Sequence, residues 1–207
     1  MTRTIELSQA LSAKLCHDLA GSIGAIDNCL SMICGQDTSI AKQAKVIASE
    51  ESINLVSHLR LLRAAYGASA EEEEVSVISI MKLLTDFFED KKTELNLHFE
   101  KGLIFLDTQI AKAVMCLIVI AAESGAMRGV LDVHVNNINA SEFKIISRSK
   151  ILKLKEDNAQ ILEGDLDAPI DVGNCREHYI GRICAQNGYI VSVNQTDELI
   201  EYNLKKK

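Results

Sequence analysis

His17 is the residue of this sequence best placed for covalent chemistry. It falls in a stretch whose apolar residues recur every three or four positions, as they do along one face of an amphipathic helix. At about 100° per residue, His17 lies on the opposite, outward face of that helix. A neutral imidazole, with an ordinary pKa near ~6.5, offers a nucleophilic nitrogen at neutral pH. The spacing therefore predicts an exposed histidine with a nitrogen free to react.

The other residues on the face of His17 are small. They are Ala10, Ala13, Gly21, Gly24 and Asn28. A glycine inside a helix costs about 1 kcal/mol relative to alanine, so two of them indicate that another molecule, such as a partner protein, approaches the backbone closely. The simpler alternative is a solvated histidine whose neighbouring glycines pack against a second helix.

Other kinds of site are disfavoured. Cys16, His17 and Asp18 cannot form a nucleophilic triad, because adjacent helical residues point about 100° apart. The six cysteines contain no C-x-x-C pair and His17 has no metal ligands nearby, so we expect reduced thiols and no metal. The remaining histidines are expected to be ordinary: His98 and His134 facing solvent on strands, His58 among polar positions of a helix, and His178 on an amphipathic helix.

Two long helices must position His17. The apolar stripe of the first consists of Leu7, Leu11, Leu15, Leu19, Ile23, Ile26, Leu30 and Ile33. Residues 35–37 break it, Asp37 or Thr38 can cap the next helix, and a second stripe from Ile40 to Leu62 predicts that this helix ends near Gly67. A lone hairpin cannot bury both stripes. We therefore expect a homodimer joined through a four-helix bundle.

A change of composition divides the chain. Small residues at 67–70 precede four glutamates at 71–74, which predicts a hairpin domain over 1–67, an acidic linker over 68–74 and a second domain over 75–207. In the second domain the patterns favour helices and strands packed as a mostly antiparallel sheet with helices on one face. The helices are predicted at 78–90, 108–124 and 176–187, and the strands at 95–99, 130–136, 143–149, 189–193 and 199–204.

The overall composition excludes some functions. With 207 residues, a net charge of -7, 4% aromatic residues and no tryptophan, the chain lacks the basic and aromatic surfaces that nucleic-acid binding requires. Its longest apolar run, residues 113–122, is well short of the ~20 residues that cross a bilayer. The first residues do not form a signal peptide. We expect a cytoplasmic protein without nucleic-acid or membrane partners.

The residues around His17 also resemble a known motif. Residues 15–26, Leu-Cys-His-Asp-Leu-Ala-Gly-Ser-Ile-Gly-Ala-Ile, resemble the phosphoacceptor helix of histidine kinases. They are most similar to the L-C-H-D-L-x-G-P-x-G-A-I form of the ChpT-type histidine phosphotransferases of the alphaproteobacterial cell-cycle phosphorelay. Residues 60–67 resemble the end of that family's second helix. Ser22 stands where the family commonly has proline, a difference that favours a straighter helix.

The resemblance implies a function and its site. His17 would accept a phosphoryl group from an aspartate in the receiver domain of a hybrid histidine kinase and donate it to a response regulator. Asp18 would orient the ring or act as a base, the alternative being a plain surface carboxylate. Lys14, Gly21, Gly24 and Asn28 would contact the partner, although Lys14 is also spaced to pair with Asp18. The protein would need no cofactor of its own, since the receiver supplies Mg²⁺.

The same resemblance implies that the second domain is a degenerate histidine-kinase ATPase-like α/β sandwich. Leu117 and Ala121 stand where kinases have metal-binding asparagines, and neither can bind Mg²⁺. Residues 148–150 replace the D-x-G-x-G loop, and residues 172–174 contain a single glycine where a glycine-rich lid is expected. The sequence thus predicts a phosphotransferase without kinase activity. The alternatives are a non-catalytic dimeric scaffold that binds a response regulator and an active ATP-dependent kinase.

Overall fold

The computed structural model describes residues 2–35, 38–67, 73–136 and 139–207. The chain begins with the predicted helical hairpin, which is confirmed: α1 spans Thr2–Ile33 and α2 spans Thr38–Tyr66. Asp37 of the predicted helix break and residues 68–72 of the predicted linker lie outside the described residues. Glu74, assigned to that linker, belongs instead to a short strand.

A five-stranded sheet forms the centre of the rest of the molecule. Its strands are β2 (Lys92–Phe99), β4 (Arg128–Val135), β5 (Glu142–Arg148), β7 (Leu199–Lys206) and β6 (Tyr189–Gln195), in that spatial order. Of these neighbouring strands, β2 and β4 run parallel and the other pairs antiparallel, so the predicted mostly antiparallel sheet is confirmed. A second, two-stranded sheet pairs β1 (Glu74–Ser76) with β3 (Phe105–Asp107).

Four helices accompany these sheets and bury one face of the larger one. They are α3 (Val77–Phe88), α4 (Thr108–Ser124), α5 (Glu156–Glu163) and α6 (Cys175–Gln186). Alternate strand residues such as Val133, Ile145 and Tyr202 are fully buried, whereas the opposite face carries ion pairs such as Lys144 with Glu201. This alternation is the pattern of a sheet with one face packed and one face in water. The predicted hairpin followed by an α/β sandwich is confirmed.

α4 is the most deeply buried helix. Its N-terminus is capped by the Asp107 carboxylate, which accepts hydrogen bonds from the backbone N–H groups of Gln109 (2.9 Å) and Ile110 (3.0 Å). Leu117 and Ala121 have no exposed surface. The two positions that the resemblance equates with the kinase asparagines are therefore part of the apolar core.

The end of α2 is built into the sandwich. Leu61 and Ala65 belong to the same core cluster as α3 and α4. The Tyr179 hydroxyl of α6 donates a hydrogen bond to the Ala65 carbonyl (2.9 Å), and the Lys112 ammonium of α4 donates one to the Gly67 carbonyl (2.6 Å). The hairpin and the sandwich thus share a packed junction.

The start of α1 also packs against the sandwich. Leu7 and Ala10 are buried with Cys175, the first residue of α6. Ala10 was expected on the exposed face of His17, and that expectation is wrong because α6 covers it.

No described helix combines the length and apolarity needed to span a membrane.

Candidate functional site

The His17 side chain projects from the middle of α1 and is 82% exposed. Its Nδ1 lies 3.5 Å from Asp18 Oδ1. The same oxygen accepts a hydrogen bond from the Lys14 ammonium at 2.6 Å. The predicted outward direction of His17 and the spacing of Lys14 for an ion pair with Asp18 are both confirmed.

The surface next to His17 is open. A Cβ atom added to Gly21 or Gly24 would meet nothing within 4 Å. The alternative interpretation, in which these glycines pack against the second helix, is therefore wrong. Asn28 is exposed one turn after Gly24, so the open surface continues along α1.

Asp18 points away from this surface and toward the junction. Its side chain is only 17% exposed and borders a cavity of about 20 Å³, enough for one water molecule, between the hairpin and the sandwich. His58, Cys116 and Arg176 also line this cavity. An ordinary surface carboxylate would not be enclosed in this way.

His58 is half-buried rather than at a solvated polar position. Its ring lies 5.2 Å from that of Phe87. Burial lowers the pKa of His58 below its usual value, and the negative charge of Asp18 partly opposes this effect. The sequence expectation for His58 is thus wrong, because α3 covers it.

An ion pair closes the sandwich side of the cavity. The Arg176 guanidinium donates two hydrogen bonds to the Glu123 carboxylate, one of them at 2.9 Å. Burial disfavours the charge of Arg176, but the hydrogen bonds and charge of Glu123 outweigh it and raise the pKa of Arg176. Sequence analysis missed this pair, since 53 residues separate its members and no local pattern links them.

The remaining histidines differ from one another. His98 and His134 stack with ring centroids 4.6 Å apart on the open face of the sheet, as expected for strand residues facing solvent. His178 lies on α6, as expected for a helical residue, and has no exposed surface. Within the described part of the chain, no group of three or more His, Cys, Asp or Glu residues is arranged to hold a metal.

Comparison with known proteins identifies the class. A model of the histidine phosphotransferase C-terminal domain matches residues 78–199, more than half of the chain. The chain therefore belongs to the histidine phosphotransferase family, and its activity is that of a phosphotransferase.

Individual relatives match over nearly the full length. The protein phosphotransferase ChpT of Brucella abortus is 20% identical over 202 residues, covering 96% of this chain and 95% of that protein. A solved bacterial phosphotransferase superposes with a TM-score of 0.84 at 20% identity, covering 97% of this chain and 96% of that one. The histidine kinase AdeS of Acinetobacter baumannii gives a TM-score of 0.49 at 15% identity, over 92% of this chain and 97% of that chain.

Proposed function

We propose that the protein relays a phosphoryl group between receiver-domain aspartates through His17. The observation that carries this proposal is an exposed imidazole beside a helix face left bare by Gly21 and Gly24. Such a face lets a receiver bring its phosphoaspartate close to the ring for in-line transfer. Lys14 and Asn28, also predicted to contact the partner, flank His17 and the bare face on α1.

The transfer requires one nitrogen of His17 to be a free nucleophile. With Nδ1 beside Asp18, Nε2 is the nitrogen left for the partner. As the Nε2–P bond forms, the bond from phosphorus to the aspartate oxygen breaks and the receiver regains its carboxylate. The reverse exchange on a second receiver completes the relay. Mg²⁺ would be held by the receiver and would neutralise charge on the phosphoryl oxygens. Asp18 orients the imidazole or acts as its base.

This chemistry indicates the partners. The donor is the receiver domain of a hybrid histidine kinase, and the acceptors are response regulators, so the protein acts in the cytoplasm. Exposed apolar side chains along the hairpin support a homodimer: Ile23, Leu30, Met32, Ile40, Val46, Ile47, Ile53 and Val56. A dimer formed through this surface would carry two His17 sites.

Incubation with a phosphorylated receiver tests the proposal. We expect acid-labile label on His17, its loss in His17→Gln, and normal labelling in His98→Gln, which changes another exposed histidine. Labelling of His17→Gln would contradict the site. A receiver complex that forms without any transfer would favour the scaffold alternative instead.

ATP is not part of this proposal. The buried Leu117 and Ala121 offer no oxygen or nitrogen to a metal–phosphate group. Calorimetry with ATP and Mg²⁺ should detect no binding. A Kd below about 1 mM, roughly -4 kcal/mol, would contradict this and revive the kinase alternative.

A further inference from the structure

We infer that Lys14 is a positioning residue that holds the Asp18 carboxylate against Nδ1 of His17. This inference rests on the proposed role of His17 and assigns Lys14 a task inside the site rather than a contact with the partner. Two observations carry it: the shared oxygen that Lys14 and His17 both approach, and the cavity on the other side of Asp18.

The helix geometry explains why Lys14 is needed. Looking down α1 from His17, Asp18 is turned by about 100° and Lys14, three residues earlier, by about 60° to the same side. Side chains on a helix lean toward its N-terminus, so the Asp18 carboxylate extends over the turn that holds Lys14. Around the helix axis, Lys14 thus lies between His17 and Asp18, and its ammonium draws the Asp18 carboxylate toward the imidazole.

Without Lys14, the carboxylate would have a different set of partners. The polar groups on its other side, His58 and Arg176, line the cavity at the junction. Arg176 is already engaged by Glu123, but its positive charge still favours a carboxylate that swings inward. Lys14 is the cation on the His17 side. About four-fifths of its side chain and of the Asp18 side chain is covered, so the pair is less screened than a surface ion pair.

The position of Asp18 decides which nitrogen of His17 reacts. A carboxylate beside Nδ1 accepts a hydrogen bond and favours the Nδ1–H tautomer, which leaves the Nε2 lone pair free. If the carboxylate turns into the cavity, the tautomer is no longer fixed and a smaller fraction of the protein presents Nε2 as a nucleophile. Lys14 would therefore act on the rate of transfer and not on docking.

Nitrogen-15 NMR of the histidine rings at pH 8 tests this on the full-length protein, with the His17 signal assigned from His17→Gln. We expect the Nδ1–H tautomer to dominate in the wild type and in Lys14→Arg, and to lose its dominance in Lys14→Met and in Asp18→Asn. Combining Lys14→Met with Asp18→Asn should add little to either single change, because both act through one carboxylate.

Transfer kinetics supply a second readout. Lys14→Met should lower the transfer rate at saturating receiver by about tenfold, the low end of what loss of an orienting group costs, while the receiver concentration for half-maximal rate stays unchanged. A wild-type tautomer ratio in Lys14→Met would overturn the inference. A raised half-saturation concentration with an unchanged maximal rate would also overturn it and restore the partner contact. The tautomer readout needs no phosphoryl group, so a shift in tautomer without any transfer would refute the relay and leave the positioning role intact.

Discussion

At Gly21 and Gly24, the residue that would best stabilise the helix differs from the residue that gives a partner protein the closest approach. Because nothing lies within 4 Å of an added Cβ, alanine at either position should raise the free energy of unfolding by up to ~1 kcal/mol. The same methyl group would enter the face that a receiver must approach, so transfer should slow. Denaturant titration and transfer kinetics on Gly21→Ala and Gly24→Ala measure the two effects. Ser12→Ala on the exposed side of α1 is the control, and unchanged transfer in both glycine variants would contradict the docking face.

His178 should make stability depend on pH. It is fully buried, and burial lowers its pKa below the ordinary value of 6.5. The unfolded chain takes up a proton near pH 6.5 while the folded protein does not, so below that pH the unfolded state binds more protons and stability falls as the pH falls. Burial shifts the pKa of His58 and His134 in the same direction.

Thermal unfolding between pH 7.5 and 5 checks this expectation. The fall in Tm with decreasing pH should be shallower in His178→Phe than in the wild type, whatever the variant does to stability at pH 7.5. Equal slopes in the two proteins would show that His178 is not the group responsible.

The rotation of about 100° per residue predicts whether a helical side chain is exposed only on a helix face that no other element covers. It placed His17 outward and spaced Lys14 for Asp18, and both are confirmed. It failed at Ala10 and His58, because the groups that cover them come from α6 and α3, far away in sequence. The Arg176–Glu123 ion pair was not predicted for the same reason. The periodicity of apolar residues identifies the faces of a helix or strand. It does not show which of those faces is covered by an element that is distant in sequence.

The helical hairpin leaves apolar surface exposed. Ile23 and Leu30, seven residues apart on α1, are 54% and 53% exposed, and Ile53 on α2 is 62% exposed. Such surface along two long helices is typical of an interface. Leu30→Glu should therefore convert the expected dimer to a monomer, because an unpaired charge in a bundle core is strongly unfavourable.

Light scattering on Leu30→Glu at micromolar concentration measures this effect. Ser31→Glu adds the same charge at the next position, turned by about 100°, and should leave the dimer intact. A wild-type protein that is monomeric under these conditions would refute the dimer itself.

Long, periodic elements could be predicted from the sequence and short ones could not. α4 was predicted to the residue, since its apolar run is bounded by Asp107 and Gly125. Strands β1 and β3 have three residues each, too few to show alternation, and the eight-residue α5 is mostly polar. These elements depend on packing against the rest of the molecule, which a local pattern does not contain.

The sequence indicated a change of architecture near residue 67 but not how closely the hairpin and the sandwich are joined. The small and acidic residues at 67–74 are typical of a solvated connection, a pattern that says nothing about the helix before them. The last turn of α2 shares a core with α3 and α4. Tyr66 lies against Tyr179 with ring centroids 5.2 Å apart. Leu61 and Ala65 supply the apolar contacts that a boundary between independent domains would lack.

The hydrogen bonds from Tyr179 and Lys112 to the end of α2 have a consequence for how the protein melts. A hairpin fixed to the sandwich by its own backbone carbonyls cannot unfold alone, so calorimetry should show one transition whose van't Hoff and calorimetric enthalpies agree. Tyr179→Phe should make the two enthalpies diverge. Tyr189→Phe, which removes a comparable bond to the Ala140 carbonyl inside the sandwich, should lower Tm and keep a single transition. Two separate transitions in the wild type would mean that hairpin and sandwich are thermodynamically independent, whatever their contacts.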